Sequence, residues 1–171
     1  MDQFENERDV ADVGIGYWQN EKPEIDCHGK PITGRILALG EIIEDSMNNA
    51  LRGHGLRYST YAIIATLRAV GPPYQMTPTQ LQNTLLVSSG GISNLIRRIE
   101  GEGLVIRETD PSDGRGVLVS LTEKGIQLAD QTMPLQAAAE RHLVRMFAED
   151  ERAIITKLLR RMLLMNMHAP L

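Results

Sequence analysis

The chain has 171 residues, 42% of them apolar, which is enough for one ordinary domain or a small domain with helical extensions. Its single cysteine, Cys27, excludes an internal disulfide, and the four histidines at 28, 54, 142 and 168 lack metal-ligand spacing, so neither a cofactor nor a structural metal is expected. The start MDQFENERDV is neither basic nor apolar, no run of about 18 apolar residues offers a membrane span, and the net charge of −4 excludes nonspecific coating of nucleic acid; a cytoplasmic globular protein is expected, whose contact with any polyanion must be local.

Residues 1–32 read as an N-terminal extension, partly helical, with turn signals in KPEIDCHGKP and the only tryptophan, Trp18. From Thr33, a plausible cap, the apolar residues Ile36, Leu39, Ile42, Ile43 and Met47 recur at helical spacing until Gly53 and Gly55 stop them. Ser59 to Val70 predicts a second helix, apolar on several sides and therefore central, closed by GPP. Thr77 caps a short third helix, with Pro78 in its first turn and Leu81, Leu85 and Leu86 inward, ending near Val87.

Ser88 can cap a fourth helix whose Ile92, Leu95, Ile96 and Ile99 share one face, leaving Ser89, Ser93, Asn94, Arg97 and Arg98 outward. Gly101 and Gly103 end that helix. LVIRET and VLVSLT then predict two strands joined by the polar tip DPSDGRG. Thr122 caps a long helical region interrupted at Pro134, and Asp150 to Met167 forms the last helix.

The fold class that follows is mainly α with a small β-hairpin: a winged helix-turn-helix over 57–122, with N- and C-terminal dimerisation helices at 33–56 and 123–171. Composition does not make the segment from Ser88 to Gly116 basic, since Arg97, Arg98, Arg107 and Arg115 face Glu100, Glu102, Glu108, Asp110 and Asp113. Arrangement carries the reading. Ser, Asn and Arg on one exposed helix face match the hydrogen-bonding edges of bases, and Gly90 and Gly91 near the helix start allow backbone to approach phosphate. No nucleophile motif, phosphate loop or paired acids in a recognisable context point to an enzyme.

From Thr33 onward the chain resembles the MarR family of bacterial transcriptional regulators, most specifically in the wing, where D-x-R-x-x-x-V-x-L-T appears as Asp113, Arg115, Val119, Leu121 and Thr122. That resemblance implies a homodimer on a palindromic double-stranded DNA operator, usually a repressor released by a small-molecule effector or by cysteine oxidation. It implies base or backbone contacts from Ser93, Asn94 and Arg98 and from the wing residue Arg115, held by Asp113. Gly114 stands where a second basic residue is common. GYWQNEKPEID and GPPYQMTPTQL are similar to the PecS-type, urate-responsive branch, which places Trp18 in an effector pocket. The Asp and Arg of that branch's pocket fall on Ala62 and Leu95, so an apolar or aromatic acid is expected in place of urate, with Arg35 a candidate for meeting its carboxylate.

Each assignment has a plainer counterpart. Arg97 and Arg98 can be a solvated face paired with Glu100 or Glu102; Trp18 can anchor the extension; Met162, Met165 and Met167 can be core or dimer packing. The alternative function is a redox-sensing regulator acting through Cys27 beside His28.

Overall fold

A computed structural model describes residues 7–85, 89–110 and 116–167, and for Ser89 and Gly90 the backbone alone. Its elements are helices α1 (Val10–Glu21), α2 (Lys30–Leu51), α3 (Tyr58–Ala69), α4 (Pro78–Leu85), α5 (Ser89–Gly101), α6 (Glu123–Leu143) and α7 (Glu149–Met167), with strands β1 (Gln75–Met76), β2 (Val105–Thr109) and β3 (Val117–Leu121). They fall into two compact units that meet at Ser46 and Met47, within α2.

In the first unit the extension forms a helix. Asp9 caps α1, accepting from the N–H groups of Ala11 and Asp12, while the Asp12 carboxylate accepts from the Asp9 N–H, a reciprocal capping box. Helix α2 begins at Lys30, so Thr33 is not its cap: the Thr33 hydroxyl donates to the Gly29 carbonyl within the first turn.

The second unit holds the core. Ile63, Ile64 and Leu67 of α3 are fully buried, as expected of a helix apolar on several sides, and cluster with Leu81 of α4, Ile92, Ile96 and Ile99 of α5, Leu104 just before β2, and Val105 and Val119 of the sheet. Strand order is β1-β3-β2, all antiparallel, with Val105 opposite Leu121 and Thr109 opposite Val117. The hairpin is thus accompanied by a third strand, β1, pairing Gln75 with Ser120 and Met76 with Val119. Two residues are too few to show period two, and β1 exists because β3 has a free edge there. As the middle strand, β3 buries Ser120 as well as Val119 and Leu121, so its alternation fades.

Pro134 does not interrupt the helical region, since α6 runs unbroken from Glu123 to Leu143. A proline inside a helix costs about 3 kcal/mol. Here Ala129, Thr132 and Gln136, on both sides of Pro134, are fully buried, and α6 packs along α3, which holds the chain helical through the missing hydrogen bond.

Candidate nucleic-acid interface

Helix α4 starts with a second capping box: Gln80 N–H donates to Thr77 Oγ1, and Thr77 N–H donates to Gln80 Oε1. Helix α5 ends in a Schellman turn, with Leu104 N–H donating to the Ile99 carbonyl (3.0 Å) and Gly103 N–H to that of Glu100 (2.9 Å). Gly103 has φ 73°, a conformation that favours glycine. With its C-terminal end set and Ile92, Ile96 and Ile99 anchored in the core, rotation of α5 about its axis is fixed, and Ser93, Asn94, Arg97 and Arg98 face solvent.

These side chains are partly organised. Arg97 Nη1 donates to Asn94 Oδ1 (3.1 Å), whereas Glu100 pairs with Arg107 on β2 (2.6 Å), so the expected alternative of Arg97 with Glu100 is not formed. Arg107 holds the Glu100 carboxyl below the usual carboxylate range, first through its side-chain hydrogen bond. Arg98 Nη2 donates to Thr60 Oγ1 of α3 (2.6 Å), and its Nε lies 3.7 Å from Glu102. Arg98 therefore spans from α5 to the start of α3. Ser59, Gly91, Asn94, Leu95 and Arg98 line one hollow of about 400 Å³.

Beyond α5, β2 and β3 form the wing, closed where Asp110 N–H donates to the Gly116 carbonyl. Ser88, Asp113, Gly114 and Arg115 lie outside the described residues, as does the side chain of Ser89. Thr122 of the wing motif is a structural joint: its hydroxyl donates to the Gly103 carbonyl (2.8 Å) and accepts from Gly125 N–H (3.0 Å), tying the wing base to α6.

The two expected effector residues lie in the first unit and line different hollows. Arg35 Nε donates to Asp9 (2.8 Å) and Nη2 to Asp12 (2.7 Å), with Nη1 on the Pro31 carbonyl, so the guanidinium expected to meet an effector carboxylate already holds two carboxylates and staples α1 to α2. Trp18 is 46% exposed and lines a hollow of about 240 Å³ with Ile15, Lys30, Thr33 and Leu37. The Lys30 ammonium stands 3.9 Å from the Trp18 ring centre, making Lys30 the cation at that hollow. Leu95 and Ala62, both half-buried, supply no charge of their own. Cys27 is half-buried in the link between α1 and α2, and neighbouring His28 pairs through Nδ1 with Asp26 (2.8 Å).

A signal for the interface is present in the sequence beyond the wing motif. From Ser46 through Ile99 there is no Asp or Glu, although the chain has 22 of them, and the same stretch holds Arg52, Arg57, Arg68, Arg97 and Arg98. It spans the end of α2 and all of α3, β1 and α4, with α5 to its last turn. Among the described residues, two of these arginines meet a carboxylate: Arg68, whose Nη2 donates to Asp130 Oδ2 (3.4 Å) with Nε 2.8 Å from Oδ1, and Arg98, 3.7 Å from Glu102.

The α4–α5 pair with the β2–β3 hairpin defines the protein as a winged helix-turn-helix protein. The MarR family model matches residues 54–116. The regulator PecS of Dickeya dadantii is 27% identical over 90% of this chain and 92% of its own length, and MhqR of Bacillus subtilis is 32% identical over 70% of this chain and 80% of its own. A mutant E. coli MarR crystallised with operator DNA superposes with a TM-score of 0.71 at 25% identity, covering 81% of this chain and 99% of that one. AbsC of Streptomyces coelicolor shares the fold, with a TM-score of 0.77 over 85% of this chain and 98% of its own. The chain belongs to the MarR family of DNA-binding transcriptional regulators.

Proposed function

We propose that this regulator is a homodimeric repressor of the cytoplasm that reads a palindromic operator and leaves it when a small aromatic or apolar acid binds. The observation that carries the DNA reading is the acid-free run from Ser46 through Ile99, which brings five arginines, Arg97 and Arg98 of α5 among them, into one stretch of an otherwise acidic chain. On α5, Ser93, Asn94 and Arg98 contact base edges, Arg98 exchanging its Thr60 hydroxyl for a base, while Ser89 and Arg97, with Ser88 preceding the helix in sequence, engage backbone. In the wing, Arg115 reaches the flanking minor groove or its phosphates, oriented by Asp113.

The effector reading is supported by the hollow beside Trp18: aliphatic and aromatic walls with one ammonium suit a planar apolar acid, whose carboxylate meets Lys30. An effector that fits best when the two α5 helices stand at the wrong spacing for successive major grooves lowers DNA affinity, and by linkage DNA lowers effector affinity by the same factor.

Selection of random duplexes by the purified protein tests the proposal. We expect a two-fold symmetric motif; Arg98→Ala should weaken binding by about 1–3 kcal/mol per half-site and relax one position, and Arg115→Ala should weaken it less selectively. In the same assay an aromatic carboxylate should quench Trp18 and release the duplex, and urate should do so poorly. Enrichment of no motif, or unchanged affinity in both variants, overturns the DNA assignment; tight quenching by urate with release overturns the effector class.

A further inference from the structure

A second cationic feature lies at the junction of α2 and α3. The 3₁₀ turn Arg52–His54 follows α2, and Gly55, at φ 66°, turns the chain into α3. Asn48, Arg52, Gly55, Leu56 and Arg57 line one hollow of about 390 Å³, with two guanidinium-bearing residues and no carboxylate around it.

Neither arginine is spent on the fold. Arg57 occupies the N-cap position of α3, where Ser, Thr, Asp or Asn would ordinarily accept from the first turn. That task is done from α2 instead: Asn48 Oδ1 accepts from Tyr58 N–H at 2.8 Å. Among the described residues Arg57 has no side-chain hydrogen bond or ion pair, and Arg52 bonds only the neutral amide oxygen of Asn49. In sequence, the acids on either side of this junction are Asp45 and Glu100. Two like charges around a hollow repel each other, and an oxyanion with several acceptor oxygens converts that repulsion into charge-assisted hydrogen bonds. Two residues beyond Arg57, Ser59 lines the hollow shared with Asn94 and Arg98, so this basic rim runs on into the face of α5.

We infer that the Arg52–Arg57 hollow binds a phosphate oxyanion, and that its occupant in the DNA complex is a backbone phosphate beside the bases read by α5. The choice of occupant rests on the DNA reading above; the site itself does not. The same chemistry would also admit a free phosphate, and the test separates the two sources.

Full-length wild type and an Arg52→Gln/Arg57→Gln variant are compared on a duplex selected by the wild type and on a scrambled one, from about 50 to 200 mM salt. We expect the slope of log affinity against log salt to fall by about 0.9 for each phosphate that the variant no longer neutralises, equally on both duplexes and without a change of preferred sequence. In parallel, inorganic phosphate is titrated against the melting temperature of each free protein. A reduced slope assigns the site to DNA backbone; saturable stabilisation of the wild type alone, with an unchanged slope, assigns it to free phosphate. If neither appears while the variant keeps its melting temperature and circular dichroism, the inference is overturned. Should the double variant not fold, Arg57→Gln alone is read in the same way, since Asn48 still caps α3. A wild type that selects no duplex removes the DNA reading and leaves the phosphate titration to decide the site.

Discussion

Gly125 shows how much one side chain's absence can decide. A β-carbon there would stand 2.1 Å from the Leu104 carbonyl oxygen, which is backbone and cannot swing away, and 3.0 Å from Leu121. The same residue's N–H is held by Thr122, so α6 cannot back off without breaking its own cap. Gly125→Ala should therefore destabilise the fold by about 2–3 kcal/mol through overpacking, whereas Gly53→Ala, whose β-carbon meets nothing within 4 Å, should stay within about 0.5 kcal/mol. Urea denaturation of the two variants checks the contrast, and equal midpoints would contradict the close approach. Residue chemistry was legible in α5, where the outward Ser93, Asn94, Arg97 and Arg98 follow from the spacing of their apolar neighbours. It was not legible for Arg35 and Arg98, whose partners Asp9 and Thr60 lie 26 and 38 residues away.

Helix α1 has 12 residues and none buried, too short and too exposed to persist alone. It is held in part by the capping box and by Arg35. The Asp9 carboxyl is depressed chiefly by the Asp12 N–H and also by the Arg35 guanidinium. A depressed carboxyl contributes stability that is present above the ordinary aspartate range and lost as pH falls through it. Wild-type Trp18 fluorescence and helical circular dichroism should thus hold from neutrality down to about pH 4 and fall below that, while Arg35→Ala should show the loosened signal already at pH 7. Identical acid titrations in both proteins would show that Arg35 is not the staple. Elements with their own signals, α3, α5 and the hairpin, agree with sequence to within a residue or two. Those that depend on a partner do not: β1 needs the edge of β3, and the continuity of α6 across Pro134 needs α3.

Helix α7 carries Ile154, Leu158, Leu159, Met162, Leu163, Leu164, Met165 and Met167 and buries none of them within the chain. An apolar surface of that extent on a single chain fits the subunit interface of the proposed dimer. Light scattering should give about twice the 19.0 kDa chain mass, and Leu159→Lys should shift the protein toward monomer at micromolar concentration. A monomeric wild type would contradict the dimer and, with it, recognition of two half-sites. Charge is also a property of this scale: the net value of −4 hides the acid-free run from Ser46 through Ile99, so the whole chain repels polyanions while one stretch attracts them.

By itself the sequence determined the local and periodic features: which faces of α3 and α5 are apolar, where Thr77 and Thr122 start helices, the hairpin with its wing motif, and hence the family. These depend on residues three or four apart along a helix or two apart along a strand, a range that a linear text displays. Tertiary structure alone decided that Arg35 is a staple, that Lys30 is the cation over Trp18, that Asn48 caps α3 and leaves Arg57 without that task, and that Arg98 rests on Thr60. Each joins groups 10 or more residues apart, brought together when helices dock, and no period in the chain records it.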